Sequence, residues 1–341
     1  MNRLRCAGAL LVVAFACKKA EPPPAAVEPT PAPERTTGDP ACVGPVAAGT
    51  PTPLNISGVT YELNGSTLAR KAPAKNGTLT LGVLADIKEA SEENKANLKT
   101  LSAWFAKSKV EMIVLAGDTG ETEDDIAEAL DMVAAANVPV LAIIGNREGK
   151  QAYQRALRAA RGKHSNIIDL NLIRRVDTPV VDFISMPGYF NPSYLHAEDG
   201  CRYYAADVDV LSALAKASDS PVVLVSHGPP RQEGELAIDR TSTGANAGDP
   251  ELARVIAEAK IPFGIFANIH EAGGRATNLA GSEVLAQGKP HAALYLNPGP
   301  ADGVRWMMND GSESVGMGAV VTFKGGTATY TVQRLPNPNT Q

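Results

Sequence analysis

The stretch TLTLGVLADIKEASEENKANLKTLSAWFAKSKVEMIVLAGD, residues 78–118, predicts a strand, a helix and a second strand in close succession. Its two strand-like runs, TLTLGVLAD and VEMIVLAGD, are mostly apolar on both faces, which is typical of strands that are covered on both sides. The segment between them has helical periodicity and begins at Ser91, a residue type that caps helices well. A strand, helix and strand of these lengths indicate a parallel sheet, so the stretch predicts an α/β fold.

The same alternation continues beyond this stretch. TEDDIAEALDMVAAA predicts a helix capped by Thr122, and VPVLAIIGN predicts a third strand. The second half of the chain is richer in strand-like runs, among them PVVDFISMPG, SPVVLVSH and HAALYLNPG, and it ends in a predicted hairpin around Gly325-Gly326. An Asn-Gly pair predicts a further hairpin within an N-terminal extension, residues 54–77.

The N-terminus has the pattern of an export signal. MNRLRCAGALLVVAFAC has a basic start, an apolar run too short to span a bilayer, and small residues before Cys17. We therefore expect a signal peptide over residues 1–16. Ala14-Phe15-Ala16-Cys17 resembles the site at which bacterial lipoproteins are cleaved and acylated, so Cys17 is the expected lipidation site. The alternative is cleavage after Ala16, which releases a soluble periplasmic protein. The first interpretation predicts an exported protein on the periplasmic side, anchored in the membrane only by its lipid.

Residues 17–53 are crowded with Pro, Ala, Glu and Thr, and this composition predicts an extended, lipid-anchored linker. The main domain is expected at residues 78–335 and a short tail at 336–341. In an oxidising compartment Cys42 and Cys201 either form a disulfide or stay as two buried free thiols, and the sequence favours neither.

Composition excludes one class of partner. The 341 residues carry a formal net charge of −5 and no basic block, which argues against a nucleic-acid-binding protein. A small anionic, phosphate-like ligand or another protein is the expected partner.

Polar residues with chemical potential follow the predicted strands directly. In open α/β sheets ligands bind outside the carboxyl ends of the strands, so these side chains are expected to share one cleft. In chain order they are Asp86, Lys88, Asp118, Asn146, Arg147, His227, Asn268 and His270.

The motifs LADIK, LAGDTGE, IGNRE, VSHGPP and ANIHEAG, followed by LNPGP, resemble those of the calcineurin-like metallophosphoesterase family over about residues 78–335. The resemblance implies a four-layer αββα sandwich and an active site with two adjacent metal ions. Carried over by motif, it makes Asp86 and His270 ligands of the first metal and Asp118 the bridge. Asn146 and His227 would then be ligands of the second metal.

Three positions depart from the family pattern. Lys88 and Arg147 stand where the family has His, and Ala267-Asn268 stands where it has Gly-His. A protonated Lys has no lone pair to give a metal, Arg is a poor general acid, and an Asn oxygen is a weaker ligand than imidazole for zinc or iron. Lys88 is therefore expected to offset the charge of Asp86 and Asp118 in place of a metal ion. Asn268 remains a candidate ligand in the second site.

These departures favour a protein that has lost most or all metal-dependent phosphoester hydrolysis and binds an anionic ligand or a protein. It would hold no metal, or a single weakly bound Mn²⁺ or Mg²⁺. The alternative is a working phosphoesterase with one metal, in which Lys88 and Arg147 stabilise the charge that develops on the phosphoryl group.

Overall fold

The computed structural model describes residues 36–336. The predicted signal peptide, Cys17, most of the predicted linker and all but the first residue of the predicted tail lie outside these residues. Within them, a single compact unit begins at Thr36. None of the described helices is long and apolar enough to cross a membrane.

The described residues form seventeen strands. In chain order they are β1 (Thr52–Ile56), β2 (Val59–Asn64), β3 (Thr67–Arg70), β4 (Thr78–Leu84), β5 (Met112–Leu115), β6 (Val140–Ala142), β7 (Ile167–Asp169), β8 (Arg175–Asp177), β9 (Asp182–Met186), β10 (Val222–Ser226), β11 (Phe263–Ile265), β12 (Arg275–Thr277), β13 (Leu294–Asn297), β14 (Trp306–Met307), β15 (Glu313–Ser314), β16 (Met317–Lys324) and β17 (Thr327–Arg334).

Five α-helices connect some of these strands. They are α1 (Glu92–Lys107), α2 (Glu123–Ala134), α3 (Lys150–Lys163), α4 (Ala205–Lys216) and α5 (Pro250–Glu258). Single 3₁₀ turns lie at Lys75–Gly77, Pro192–Tyr194 and His270–Ala272.

The strands form two large sheets and one short ribbon. The six-stranded sheet has the order β17-β16-β4-β5-β6-β7, with β4 to β7 parallel as predicted and β16 antiparallel to β4. The nine-stranded sheet has the order β1-β2-β3-β8-β9-β10-β11-β13-β12, and its centre from β9 to β13 is parallel. Strands β14 and β15 pair only with each other. The predicted hairpins form between β2 and β3 and between β16 and β17.

Side chains alternate between two buried cores along each central strand. In β5, Met112 and Val114 pack in a core shared with the nine-stranded sheet, whereas Ile113 and Leu115 pack in the core that contains the helices. Strand β10 divides in the same way. Two sheets face each other and helices cover their outer faces, which confirms the predicted four-layer αββα sandwich.

Capping residues define where the helices that follow β4 and β5 begin. The Ser91 hydroxyl accepts the Asn94 backbone N–H at the start of α1, and Thr122 and Asp125 form a reciprocal capping box at the start of α2. Helix α3 was not predicted from the sequence, although Tyr153, Ala156 and Leu157 give it a buried face.

The domain extends into the region expected to be a free linker. Cys42 and Val43 are buried, the Gly38 N–H donates to Asp207 at 2.7 Å, and Cys42 forms a disulfide with Cys201. Of the two alternatives for these cysteines, the disulfide is the one observed. It holds a segment that by composition alone has little reason to pack.

Candidate metal centre

The six-stranded sheet supplies one side of the site. Asp86 and Lys88 follow β4, Asp118 follows β5, and Asn146 and Arg147 follow β6. All except Arg147 are buried. The parallel direction of these strands brings their carboxyl ends to one edge of the sheet, as the sequence predicts.

The nine-stranded sheet supplies the other side. His227 follows β10 and is fully buried. Asn268 and His270 follow β11 and are partly buried. Since the carboxyl ends of both sheets point to the same cleft, side chains far apart in sequence meet there.

The backbone at the site adopts an uncommon conformation. Asp86, Lys88, Asp118 and Asn268 have φ values of 54°, 69°, 51° and 66°, which lie in the left-handed region. Such conformations cost on the order of 1 kcal/mol or more for residues other than glycine, and they concentrate at functional sites. Four residues with this conformation in one cleft indicate that the backbone is constrained there in order to place their side chains.

Asp86, Asp118 and His227 form the core of the site. Each offers a ligand atom, and these atoms lie within 4.8 Å of one another. Asp86 is fully buried, and neither of its carboxylate oxygens accepts a hydrogen bond from any residue within 36–336. The His270 Nε2 lies 3.3 Å from Asp86 Oδ1. A buried carboxylate without donors is costly unless a cation is close to it.

Asp118 is held in a fixed orientation. Its Oδ1 accepts the backbone N–H groups of Asn146 and Arg147, both at 3.0 Å, and lies 3.3 Å from His227 Nε2. Burial alone would raise the pKa of Asp118, but His227 and the Arg147 contacts outweigh it and hold the pKa below its usual value. The pKa of Asp86 is likewise lowered, because His270 and His227 outweigh the effect of burial. Both carboxyl groups are therefore ionised.

His227 presents one ring nitrogen to the acids. Its Nδ1 lies 2.8 Å from the Ala116 carbonyl oxygen, so we assign the Nδ1 proton to that bond. Its Nε2 faces the carboxylates and lies 2.7 Å from Asn146 Oδ1. Burial alone would lower the pKa of His227. The Asp118 carboxylate acts in the opposite direction, and the net result is a pKa raised to about 9. Because the Ala116 carbonyl oxygen keeps the proton on Nδ1, Nε2 is the ring nitrogen that can bind a metal ion after losing its own proton.

Lys88 points into a buried cluster of its own. Its Nζ lies 2.5 Å from Asp302 Oδ2, and both side chains are buried. The ammonium also lies 4.4 Å from the centroid of the Trp306 ring, whose N–H donates to Asp302 Oδ1 at 3.0 Å. Asp302 therefore neutralises Lys88, whereas the sequence predicted that Lys88 offsets Asp86 and Asp118.

Arg147 is the more accessible of the two cations. Its side chain is 23% exposed, its Nε lies 3.5 Å from Asp118 Oδ2, and its guanidinium forms an ion pair with Glu121. It can therefore reach a ligand in the cleft without losing contact with Asp118.

Several neighbours of the site were not predicted. Asp302 and Trp306 hold Lys88, and the Trp306 ring lies 4.2 Å from the His270 ring, centroid to centroid. The Tyr189 hydroxyl accepts the Asn268 side-chain N–H at 2.7 Å, which places the aromatic loop 187–204 beside the site.

Glu148 is a further neighbour that was not predicted. It is fully buried and accepts the backbone N–H groups of Thr119 and Gly145. Burial, with a further contribution from Asp118, raises its pKa to about 8. Its hydrogen bonds join the turn after β5 to the turn after β6. The GNRE motif that contains it was the available signal.

A family model described as calcineurin-like phosphoesterase matches residues 79–270, more than half of the chain. The chain belongs to the calcineurin-like phosphoesterase family. One solved structure aligns with a TM-score of 0.54 and 15% identity, over 76% of this chain and 100% of its own. This likeness shows the fold, which agrees with the family assignment.

Other solved structures align at lower TM-scores. A Thermus thermophilus protein has a TM-score of 0.48 and 14% identity, over 70% of this chain and 98% of its own. A dimetal phosphatase from Danio rerio has a TM-score of 0.47 and 13% identity, over 76% and 99%. A search of curated protein sequences returned no match.

Members of this family usually bind divalent metals, and the donors of this site fit one such ion. Two ionised carboxylates and an imidazole are a suitable set for a divalent ion, and the Asp86 oxygens accept no hydrogen bond within the described part of the chain. Asn146 and His270 lie beside this set, whereas the Asn268 amide N–H is bound to Tyr189. The structure thus brings all the predicted ligand residues to one cleft and makes Asp86, Asp118 and His227 its most compact part.

Proposed function

We propose that this protein is a phosphoesterase that uses one divalent metal ion, Mn²⁺ or Mg²⁺. The ion would be held by Asp86, Asp118 and His227. The observation that carries the proposal is Asp86, a fully buried carboxylate whose oxygens accept no hydrogen bond from the described residues and lie within 4.8 Å of ligand atoms of Asp118 and His227. When bound, a metal ion supplies Lewis-acid activation of a phosphoester and of water.

The sequence alone favours loss of the metal, because Lys88 is expected to repel it. The contact between Lys88 and Asp302 changes that balance. A buried ammonium paired with a carboxylate at 2.5 Å has much less net charge to oppose a cation near Asp86. The repulsion that argued against any metal is therefore reduced inside the protein.

One metal is favoured over two because the family's histidines are replaced at three positions. Lys88 gives the first family site no ligand atom, since an ammonium has no free lone pair and this one is engaged by Asp302. The Asn268 amide N–H is engaged by Tyr189. Among the remaining donors, Asp86, Asp118 and His227 have ligand atoms within 4.8 Å of one another.

The substrate would enter a small cavity beside the metal position. This cavity, of about 190 Å³, is lined in part by Lys88, Arg147, Glu121, Asp302 and Trp306. The Arg147 guanidinium is placed to bind phosphoryl oxygens and to stabilise charge that develops on them. Its two acidic partners, Asp118 and Glu121, hold it in the lining of the cavity.

We further propose that the protein is exported and anchored by lipid at Cys17. The pattern of residues 1–17 supports this, and so does the Cys42–Cys201 disulfide, because disulfides persist in oxidising compartments. Mass spectrometry of the membrane fraction tests it: an N-terminal peptide that begins with acylated Cys17 is expected. A mature chain that begins at Cys17 without lipid would contradict the anchor.

A second candidate is an inactive member of the family that binds an anionic ligand or a protein. The specific observation in its favour is Arg147, which stands where the family places a His and does not act as a general acid at ordinary pH. In this case Lys88, Arg147 and His227 would contact the ligand without hydrolysis.

Metal content and turnover distinguish the two candidates. Protein saturated with Mn²⁺ and then dialysed is expected to retain about one ion per chain and to hydrolyse bis(p-nitrophenyl) phosphate. Asp118→Ala should lose both properties. The matched control is Asp124→Ala, an exposed aspartate in the first turn of α2. Only traces of metal in the wild-type protein would overturn the one-metal proposal, and metal without turnover would favour the inactive candidate.

A further inference from the structure

A second cavity, of about 710 Å³, lies apart from the metal centre, and we call it the Arg275 cavity. It is formed by the start of β12, the end of β17 and the segment 284–287. Within the described chain its lining shares no residue with the metal centre or with the cavity beside it. Its volume lies in the range of roughly 300–1,000 Å³ that is usual for small-molecule sites.

Arg275 is the unusual residue in this cavity. It is only 9% exposed, and its Nη2 is buried without a hydrogen-bond partner. A buried donor on a charged group is costly to leave unpaired, since it has lost water and gained nothing in exchange. Burial lowers the pKa of Arg275, but a guanidinium stays charged at ordinary pH. Arg275 therefore forms no ion pair within 4.0 Å with any described residue, although the charge of Asp310 acts on it from farther away.

The nearest carboxylate is engaged elsewhere. Asp310 Oδ2 accepts from Arg334 Nη2 at 3.1 Å, and Arg334 also donates to Ser312. Arg275, Arg334 and Asp310 together leave an excess of one positive charge in the lining. The charge pattern is complementary to a single negative charge.

The rest of the cavity wall is largely apolar. Leu236 and Val284 are 42% and 40% exposed, which is high for large hydrophobic side chains, and Leu285 and Val332 lie beside them. Apolar area of this kind gains free energy when a ligand covers it, at about 25 cal/mol per Å². A cation at one end and an exposed apolar wall at the other define an amphipathic site.

We propose that the Arg275 cavity binds a small amphipathic monoanion, a carboxylate that carries a short alkyl chain. The carboxylate pairs with the Arg275 guanidinium, which lines the cavity. The alkyl chain lies on Leu236, Val284 and Val332. This proposal does not depend on the phosphoesterase activity, because the two sites share no residue in the described chain.

Isothermal titration calorimetry with octanoate tests the proposal directly. We expect saturable binding at one site per chain, with or without Mn²⁺. Octanol has the chain without the charge, and acetate has the charge without the chain, so both should bind at least about tenfold more weakly. Absence of saturable octanoate binding would overturn the proposal, and so would octanol binding as tight as that of octanoate.

Two variants locate the site. Arg275→Met keeps much of the side-chain volume and removes the charge, so it should weaken octanoate binding roughly 10- to 100-fold without lowering the melting temperature. Val284→Glu places a carboxylate at the exposed rim and should also block binding. The matched controls are Arg231→Met and Val46→Glu, at exposed positions outside the cavity lining. Unchanged octanoate affinity in either cavity variant would overturn the assignment.

Discussion

Two clusters of three ligand-capable side chains lie at opposite ends of β10. Asp86, Asp118 and His227 meet where this strand ends, and Asp177, Asp182 and Asp219 meet near its start. Each cluster brings its oxygen or nitrogen atoms within 4.8 Å of one another. A similar spacing of ligand-capable atoms therefore occurs twice in one protein, with different residues around each cluster.

The two settings differ in how they treat charge. In the first, imidazoles and Arg147 hold the pKa values of Asp86 and Asp118 low, so buried carboxylates stay ionised. In the second, burial raises the pKa of Asp182 to about 6, helped by Asp177. Arg175 lies no closer than 3.9 Å to Asp177. The comparison shows that spacing alone does not prepare a metal site, because the surroundings decide whether the acids are ready to accept a cation.

The largest expected effect comes from removing the central ligand of the first cluster. Asp118→Asn should weaken Mn²⁺ binding by more than about 100-fold, since even a residue that only supports a ligand contributes 10- to 100-fold. Asp219→Asn in the second cluster is the matched control and should leave the affinity unchanged. Calorimetric titration with Mn²⁺ measures both. An equal loss of Mn²⁺ affinity in the two variants, or a second bound Mn²⁺ per chain, would contradict the proposed difference between the clusters.

A smaller effect is expected at the second cluster, and it concerns stability. The pKa of Asp182 is raised from 3.8 to about 6 in the folded protein, so folding is penalised once the pH rises through this range. Asp182→Asn removes the ionisable group and should stabilise the protein by about 1–2 kcal/mol at pH 8 but not at pH 4. Urea unfolding at the two pH values measures this. A gain in the free energy of unfolding of the same size at pH 4 and pH 8 would show that the charge of Asp182 is not the cause.

The smallest expected effect tests how the first cluster is kept free for a cation. Asp302→Asn leaves the Lys88 ammonium without its carboxylate, so its charge acts on the ligands nearby. Mn²⁺ affinity should fall by about fivefold, which corresponds to about 1 kcal/mol. The double variant Lys88→Met with Asp302→Asn should recover the affinity. If the double variant binds as weakly as the single one, Asp302 acts through shape and not through charge.

The predictable part of the fold is the part encoded by local pattern. Strands such as β4, β5 and β10 are short apolar runs followed by a polar residue. The sequence therefore predicts both where these strands lie and which polar residues they bring to the site. Helix α3 was missed although its buried face recurs at the helical period from Tyr153 to Ala160. Its Arg- and Lys-rich outer face obscured that period.

The candidate site was predictable only at the ends of these strands. Asp302 and Trp306 lie more than 200 residues from Lys88, before and at the start of β14, and their contact depends on the packed sandwich. Without them, Lys88 appears as a free cation next to Asp86. The sequence thus predicted residues that lie close together in the structure, but not Asp302 and Trp306 or how the charges are paired.

The Cys42–Cys201 disulfide also has a mechanical consequence. It closes a covalent loop whose ends are 159 residues apart, and this loop contains β4, β5 and β6 together with Asp86, Asp118 and Asn146. Tension applied between the two ends of the chain passes across the sulfur bridge and bypasses everything inside the loop. Stretching therefore loads the chain before Cys42 and after Cys201, while the part of the cleft that carries both key carboxylates is shielded from the pull.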